Sequence, residues 1–524
     1  MPMSDFQDVV VVGGGPAGLA LAVALRMYGV GVTVVEKECR PGREPRVGVL
    51  RQRALEVLRD LGCAEGLLAD GLLLSRAEVY VRGRHIGCRP TDVPGTAFPR
   101  PLSVEQGAVR PLLERRLRAL GGDVRRGTEA LAVRLRGDGA EVDVRGPDGR
   151  SRTLGCRWVV GCDGARGLVR TTLGIPCEGE PRPGLQALQI NAEVDWKYGD
   201  ARDTVRVFLE RRLCAVATPR PGGGYRLLCF LRDPDPRITA APCPDEVRDL
   251  LARGTHDPGL HLMPTDPPWA CRARFHDRAA ASLRVGRALL VGGSAHVWAP
   301  VGGHGLDAGL RGAHNLGWKL AAVHHGWAAP ALLDTYATEQ RRTARQLARW
   351  LSRTLPELPA APPVLAALGI VGPAVRADGR MDRRSRAVLS HFVVDHRTSV
   401  LSADAGGPGP LRAGDRLPDL PVVQGGRRCG LHDLLSYTRW TLLVVPGHQG
   451  SDVGDAMGMR RVLADYAVPA EVFHVRPVSD ERGRPGGMLL VRPDGHVGLR
   501  ARLGDGRALA AYLGRWFARR AQPV

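Results

Sequence analysis

The chain has 524 residues, enough for two or three domains with substantial cores, and 44% of them are hydrophobic. That hydrophobic content excludes a disordered protein in spite of 67 glycines and 40 prolines, and it predicts a loop-rich globular one. The net charge of +20 comes from arginines scattered along the whole chain, so it does not form the basic stripe that nucleic-acid binding requires.

Cysteine usage and the first residues exclude further classes of protein. The eleven cysteines contain no C-x-x-C pair and no metal-ligand spacing, so we expect neither a zinc site nor a redox dithiol. The chain starts without the regions of a signal peptide, and it has no run of about 18 apolar residues. We therefore expect a cytoplasmic protein without a metal, a membrane segment or a nucleic-acid partner.

The predicted elements begin with a strand buried on both faces. Val9 to Val12 is a β-branched run that ends in glycines, Leu19 to Arg26 is typical of a helix, and Val30 to Glu36 of a second strand. Together they form one βαβ unit. Two further apolar strands, Trp158 to Cys162 and Ala288 to Val291, are each followed at once by glycine and polar residues. Because ligand sites of open α/β sheets lie at the carboxyl ends of strands, we expect a site there.

The segments between and after these strands predict the domain organisation. Alternating runs such as Thr204 to Leu209 and Tyr225 to Leu231 predict an inserted, mostly β substrate domain. Leu332 to Leu355 is helical and charged, and Ser402 to Arg412 is rich in glycine and proline. We predict an α/β fold with a nucleotide-binding domain in residues 1–176 and 285–401, a substrate domain in 177–284, a linker in 402–413 and a separate domain in 414–524.

The first motif, at residues 13–18, fits G-x-G-x-x-G between a strand and a helix. Gly13 permits the tight turn, Gly15 lets the backbone approach a pyrophosphate, and Gly18 allows close packing of the helix on the strand. The helix N-terminus then offers free N–H groups to phosphates. Glu36, at the end of the second strand, is placed to accept hydrogen bonds from a ribose.

Two later segments complete a resemblance to a known family. Asp163 and Gly164 follow the Trp158 strand. The Ala288 strand is followed by a third group of residues: Gly292, Gly293, Pro300, Gly302, Gly303, His304, Gly305, Leu306 and Asp307. In this order the three segments resemble those of the class A FAD-dependent monooxygenases typified by p-hydroxybenzoate hydroxylase, and among them the aromatic-polyketide hydroxylases. Arg46 resembles the family's arginine that lies against FAD, and Gln106 the glutamine that contacts the ribityl chain.

The resemblance implies a fold, cofactors and an assembly. It implies a Rossmann-like domain of the glutathione-reductase type that binds FAD, with NADPH as a transiently bound reductant and dioxygen as the oxidant. A helix beginning near Leu306 would aim its N–H groups at the flavin pyrimidine ring, which carries negative charge in the reduced flavin. The C-terminal piece resembles the family's thioredoxin-like domain but contains only Cys429. We expect it to have a structural or dimer-related role and to pack independently, in a monomer or homodimer.

Four residues depart from the family's pattern at one site. Gly293 stands where a carboxylate normally accepts a hydrogen bond from a ribityl hydroxyl, and Asp307 replaces an asparagine; Ala299 and Gly167 replace a proline and a serine. A carboxylate at position 307 is unfavourable beside a reduced flavin anion unless it is protonated or points away. The loss at position 293 leaves two interpretations open: FAD binding is weaker by about 1.5–3 kcal/mol, or the site is rebuilt around the loss.

These features lead to one expected function and two alternatives. We expect an FAD- and NADPH-dependent monooxygenase that hydroxylates or oxygenates a polycyclic aromatic polyketide in secondary metabolism. Gly293 and Asp307 favour, as the alternative, a non-oxygenating cyclase, isomerase or dehydratase of the same fold, with weakened or absent flavin use, in which His304 or Asp307 acts as acid or base. The third hypothesis is a non-catalytic partner of another tailoring enzyme.

Overall fold

A computed structural model describes residues 6–40, 47–232, 234–235, 237–297, 304–354, 390, 392, 394–406, 411–445, 453–478 and 487–520. For Gln106 and His304 it describes the backbone but not the side chain. Residues 407–410 of the expected linker lie outside these ranges, and so do five residues singled out in the sequence: Arg46, Ala299, Pro300, Gly302 and Gly303.

The helices and strands follow one another in three groups. Up to residue 176 they are β1 (Gln7–Val12), α1 (Pro16–Met27), β2 (Val32–Glu36), β3 (Val47–Leu50), α2 (Gln52–Asp60), α3 (Ala64–Asp70), β4 (Leu72–Leu73), β5 (Arg76–Val81), β6 (Arg84–Pro90), β7 (Leu102–Glu105), α4 (Gln106–Ala119), β8 (Asp123–Arg126), β9 (Glu129–Leu135), β10 (Ala140–Arg145), β11 (Ser151–Gly161) and α5 (Leu168–Thr172). Then come β12 (Cys177–Asp195), β13 (Thr204–Leu209), β14 (Leu213–Pro219), β15 (Tyr225–Arg232), α6 (Pro244–Thr255), β16 (His261–Pro264), β17 (Ala270–Ala280), β18 (Arg284–Val285), β19 (Ala288–Leu290), a 3₁₀ turn (Gly292–Ser294) and β20 (His296–Val297). The last group is α7 (His304–His324), α8 (Leu332–Thr354), β21 (Ala403–Asp404), β22 (Pro421–Gln424), β23 (Arg427–Gly430), a 3₁₀ turn (Leu431–Leu434), β24 (Trp440–Val445), α9 (Val453–Ala464), β25 (Ala470–His474), β26 (Arg476–Pro477), β27 (Gly487–Val491), β28 (Val497–Arg502) and α10 (Gly506–Trp516).

A parallel sheet forms the centre of the first lobe. Its main path runs β18-β19-β11-β1-β2-β8, and the pairs from β19 to β8 are parallel. The valines at positions 9–12 of β1 and 34–35 of β2 are buried, as the uninterrupted apolar runs predicted. The predicted strands at Val9, Trp158 and Ala288 are therefore neighbours in one sheet, with their carboxyl ends on the same edge.

Two helices, α1 and α7, pack next to that edge of the parallel sheet. α1 begins at Pro16, whose fixed φ suits the first helical position, and its residues 18–25 are all buried. α7 packs against α1, and the leucines at positions 310, 316 and 320 are completely buried on the face that their spacing predicted. The helix begins at His304, and Gly326, with a φ of +72°, follows its end as the predicted stop.

The second sheet contains the expected substrate domain but is not confined to it. Its main path runs β20-β17-β12-β15-β14-β13-β5-β6, with β16 paired to β12. β13 pairs in parallel with β5, so Val205 lies beside Ala77. The expected boundary at residue 177 therefore leaves out β5 and β6, because strands distant in sequence complete the sheet. One face packs on α6 through residues such as Phe208 and Leu251, and the other face carries a separate apolar cluster that includes Val207 and Phe230.

The C-terminal unit has the βαβ and hairpin arrangement of a thioredoxin-like domain. Its sheet runs β21-β28-β27-β24-β25, where β24 and β25 are parallel and joined through α9, and β27 and β28 form an antiparallel hairpin followed by α10. β21 falls within the expected linker, yet Ala403 pairs with Leu499 of β28. Tyr512 also donates a hydrogen bond to the buried Leu401 carbonyl at 2.8 Å. The expected linker is corrected at this point, because its first residues form the edge of the C-terminal sheet.

A buried ionic network joins the C-terminal unit to the first lobe. Glu339 of α8 accepts hydrogen bonds from Lys319 Nζ of α7 at 2.7 Å and from Arg492 Nη1 at 2.9 Å. Asp494 accepts from Arg492 Nε at 3.0 Å and from Asn315 Nδ2 at 2.8 Å. Burial alone would raise the pKa of Asp494, but Arg492 and His496 hold it well below its usual range. The charged groups at the contact between the two units are therefore buried from water and stabilised by one another.

No helix in the part of the chain that the structure describes is long and apolar enough to cross a membrane.

The network predicts that Asp494→Ala destabilises the whole chain. It leaves the Arg492 guanidinium short of a buried partner, which costs about 3–5 kcal/mol of unfolding free energy, while Asp404→Ala, at the partly exposed pair with Arg500, costs about 0–1 kcal/mol. Urea unfolding of both variants measures the difference. Equal, small costs would show that the interface is not held by these charges.

Because the buried network joins the two units, we now expect the chain truncated after Ser402 to aggregate, contrary to the expectation of an independently packed C-terminal domain.

Candidate FAD site

The carboxyl ends of four strands meet at one edge of the parallel sheet. The Cys162 N–H donates to the Val12 carbonyl at 2.7 Å, and the Gly13 N–H donates to the Val35 carbonyl at 2.8 Å. On the other side of β11, the Val291 N–H donates to the Gly161 carbonyl at 2.9 Å. These bonds bring the three sequence segments together as the sequence predicted, and they also place the end of β2 beside the first glycine turn.

The glycine turn has the shape of a pyrophosphate cradle. Gly13 has a φ of +107°, and a Cβ there would lie 2.5 Å from the Cys162 carbonyl oxygen, so only glycine fits. A Cβ on Gly18 would collide with the Gly13 carbonyl oxygen. Gly15 differs, because a Cβ there would meet nothing within 4 Å. Gly15 is the N-cap of α1 and the first turn of that helix carries no acidic residue, so open space and helix N–H groups coincide where a pyrophosphate is expected.

Glu36 lies at this turn, at the end of β2, and its role as a ribose acceptor stays a prediction. Its Oε2 accepts a hydrogen bond from the Gly14 N–H at 2.8 Å, and its Oε1 accepts one from the Glu38 N–H at 3.0 Å. Arg110 donates to Glu36 Oε2 at 2.7 Å and to the Gly14 carbonyl at 2.8 Å. Sequence reasoning missed Arg110, which lies one helical turn after Gln106 in α4, because its contact with Glu36 spans 74 positions and has no local signal.

Asp163 binds the second segment to the third. Its Oδ2 accepts from the Val169 N–H at 3.0 Å, and its Oδ1 accepts from the Ser294 hydroxyl at 2.6 Å. Ser294 Oγ in turn accepts from the Gly164 N–H at 3.0 Å. A Cβ on Gly167 would collide with the Asp163 carboxylate. The departure at position 167 is thus accommodated, because the hydroxyl that contacts Asp163 comes from Ser294.

Gly293 lies against the same loop. A Cβ added to Gly293 would lie 3.1 Å from Gly164 Cα and 3.5 Å from the Ala165 nitrogen. Gly164 cannot move away freely, because its N–H is bonded to Ser294. The backbone is therefore tightly packed at the position where the family has an acidic side chain, and a side chain there requires Gly164 to shift by a few tenths of an ångström, which favours the interpretation that the site is rebuilt.

The first turn of α7 lies beside the glycine turn. A Cβ on Gly309 would lie 3.2 Å from Ala17 Cβ and 3.6 Å from Gly292 Cα, so the helix approaches the first turn of α1 and the third segment closely. Gly305 and Leu306 belong to this first turn, as expected. A Cβ on Gly305 would meet nothing within 4 Å, so the first turn of α7 borders open space.

Asp307 is buried among arginines. It is 0% exposed, and Arg51, the N-cap of α2, lies with Nη1 at 3.4 Å from its Oδ2. Burial raises the pKa of Asp307 to about 6, against the opposing effect of Arg51 and Arg311. Sequence reasoning considered Asp307 protonated or turned away and missed both arginines. Complete burial also makes Asp307 a poor candidate for an acid or base in contact with substrate.

Comparisons with known proteins agree with this geometry. A family described as FAD binding domain matches residues 7–351, and one described as aromatic-ring hydroxylase, C-terminal, matches residues 411–520. The chain is 32% identical to a rifampicin monooxygenase of Streptomyces venezuelae over 94% of each chain. It is also 32% identical to a dialkyldecalin synthase of Streptomyces rugosporus, over 98% of this chain and 99% of that one. The solved anhydrotetracycline hydroxylase from Streptomyces rimosus superimposes with a TM-score of 0.75 at 28% identity, covering 98% and 99% of the two chains.

The open cradle predicts that Gly15→Val abolishes tight FAD binding. The backbone at Gly15 has a φ of −73°, so valine can be accommodated there, but its side chain fills the pyrophosphate space and FAD affinity falls about tenfold to a hundredfold. Fluorescence titration of flavin-free protein measures the change. Gly137→Val is the matched control, because a Cβ there also meets nothing within 4 Å but lies far from the cradle in sequence and sheet. Wild-type affinity in the Gly15 variant would show that this turn does not bind FAD.

The tight packing around Gly293 predicts that Gly293→Asp does not improve FAD binding. The new Cβ pushes Gly164 away from Ser294, so we expect affinity to fall about tenfold in the aspartate variant and about equally in Gly293→Ala, which tests the steric effect alone. Fluorescence titration of flavin-free protein measures the FAD affinity of both variants. Tighter binding by the aspartate variant than by wild type would restore the interpretation of a simply missing carboxylate.

Proposed function

We propose, because the chain belongs to the family of FAD-binding aromatic-ring hydroxylases, that it is a monooxygenase that transfers one oxygen atom from dioxygen to a polycyclic aromatic polyketide. The observation that carries the proposal is the convergence of three glycine-rich strand ends on one cradle. NADPH is proposed as the reductant. The similarity to relatives named for rifampicin and anhydrotetracycline supports the substrate class.

The residues present fit FAD. The turn at Gly15 with the N-terminus of α1 would hold the pyrophosphate, Glu36 would accept from the adenosine ribose, and the first turn of α7 would direct N–H groups at the pyrimidine ring. When bound, FAD supplies the redox chemistry of oxygen transfer. Arg110 contributes by holding the Glu36 carboxylate against the turn, so that the acceptor is oriented before the ribose arrives.

The second sheet carries an almost completely buried apolar face, which we propose as the substrate side of the site. On the face away from α6, an apolar cluster includes Val207, Leu209 and Phe230, and the Phe230 ring stacks on Phe275 with centroids 6.0 Å apart. Aromatic and aliphatic side chains of this kind bind a fused ring system by excluding water from it. We assign this face to the substrate and the parallel-sheet edge to the cofactor.

A second candidate function is ring formation without oxygen transfer. Two observations favour it: the similarity to a relative named as a synthase extends over nearly the whole chain, and the backbone around Gly293 leaves little room where the family has an acid. In this reading FAD has a structural or binding role, and the apolar face folds a flexible substrate into a reactive conformation.

Isotope labelling distinguishes the two functions. Purified protein with FAD, NADPH and labelled dioxygen should oxidise NADPH faster when anhydrotetracycline or rifampicin is added, and the product should contain one labelled oxygen atom. The Gly15→Val variant, which lacks the cradle, should show neither the faster NADPH oxidation nor the labelled product. Product that forms without NADPH or dioxygen, with the mass of its substrate, would overturn the monooxygenase proposal in favour of the second candidate.

A further inference from the structure

We propose that Arg51, Asp307 and Arg311 form a charge cluster that sets how strongly the FAD site prefers reduced, anionic flavin over oxidised flavin. The inference rests on the proposed use of FAD. It assigns an electrostatic role to Arg51, Asp307 and Arg311 in this chain, beyond the contribution of the helix N-terminus alone.

The cluster is assembled from two elements. Arg51 precedes α2, Asp307 lies in the first turn of α7, and Arg311 follows one turn later on the same helix. Asp307 is 0% exposed, and each arginine is 9% exposed. The Nε of Arg311 has no hydrogen-bond acceptor among the described residues. Three charges are therefore fixed in an interior that screens them weakly.

Asp307 places one end of the cluster at the proposed cofactor site. Asp307 lies two residues before Gly309, the residue that approaches Ala17 and Gly292 at the glycine turn. Leu306, its neighbour, packs against β3, where a Cβ on Gly48 would lie 3.7 Å from Leu306 Cδ2. The cluster thus lies at the N-terminal end of α7, the end that carries the positive pole of the helix and faces the proposed flavin position.

The balance of charge is positive. Two arginines and one carboxylate leave one net positive charge when Asp307 is ionised, and two when it is protonated. Other titratable groups also face the cluster. For one of them, His296, burial followed by repulsion from Arg311 lowers the pKa to about 4, so this ring stays neutral near neutral pH. Arg53 faces Arg311 from α2 and lowers the pKa of that guanidinium further. An aspartate at position 307 is therefore tolerated beside an anionic flavin because the arginines outweigh it.

The cluster predicts opposite effects for its members. Oxidised flavin has a neutral ring and reduced flavin an anionic one, so only the reduced form responds strongly to the net charge. Asp307→Asn removes a negative charge and should strengthen binding of reduced FAD relative to oxidised FAD. Arg51→Gln removes a positive charge and should weaken it. A purely structural role would shift both variants in the same direction.

Anaerobic titrations of flavin-free protein with oxidised and with reduced FAD test the inference. At about pH 8 we expect the ratio of the two dissociation constants to change about tenfold in favour of reduced FAD for Asp307→Asn and about tenfold against it for Arg51→Gln. Arg51→Lys, which keeps the charge, should remain near wild type. Arg100→Gln, at the half-exposed pair with Asp92, is the matched control and should leave the ratio unchanged.

The pH dependence gives a second readout that does not need activity. Burial raises the pKa of Asp307 to about 6, so at about pH 5 the wild-type carboxyl is protonated and the Asp307→Asn variant should no longer differ from wild type. The same sign of change in both variants, or no change in either, would overturn the inference while leaving FAD use intact. Failure of wild-type protein to bind FAD at all would instead overturn the proposed function.

Discussion

The parallel register of β1 with its two neighbours is the constraint on which the site depends. Hydrogen bonds fix Val12 beside Gly161 on one side and Val35 on the other, so the residues that follow each strand must emerge at the same edge. Together with the parallel pairing of β19 to β11, this register makes neighbours of the residues near positions 13, 36, 163 and 292. The rest of the architecture, including α1, α7 and the second sheet, surrounds that edge.

Buried charge determines much of what distinguishes this chain within that architecture. Arginines that appear scattered in the sequence include several that are almost completely buried and paired with acids from distant segments, as Arg492 is with Glu339. Such pairs gain little free energy over apolar packing, but breaking them costs several kcal/mol, about 3–5 for one partner, so they fix how the two units dock. The pair of Arg51 with Asp307 applies the same principle at the cofactor site.

The sequence was sufficient for features that depend on local pattern and insufficient for those that depend on which side chains meet. Glycine spacing and valine runs predicted the strand ends, α1 and the buried face of α7. They could not show that Ser294 supplies the hydroxyl absent at Gly167, or that Arg110 reaches Glu36 across 74 positions, because side-chain partners are set by the folded register. The recruitment of β5 into the second sheet and of Ala403 into the C-terminal one is likewise a tertiary pairing with no local signal.

A crystal structure of the chain with bound FAD tests the central claim most directly, because it shows whether the four strand ends form one cofactor site. The account predicts the pyrophosphate over Gly15 at the N-terminus of α1, the adenosine ribose at the Glu36 carboxylate, and the pyrimidine ring at the first turn of α7 beside Asp307. FAD bound elsewhere, or bound with the Gly15 cradle empty, would contradict it.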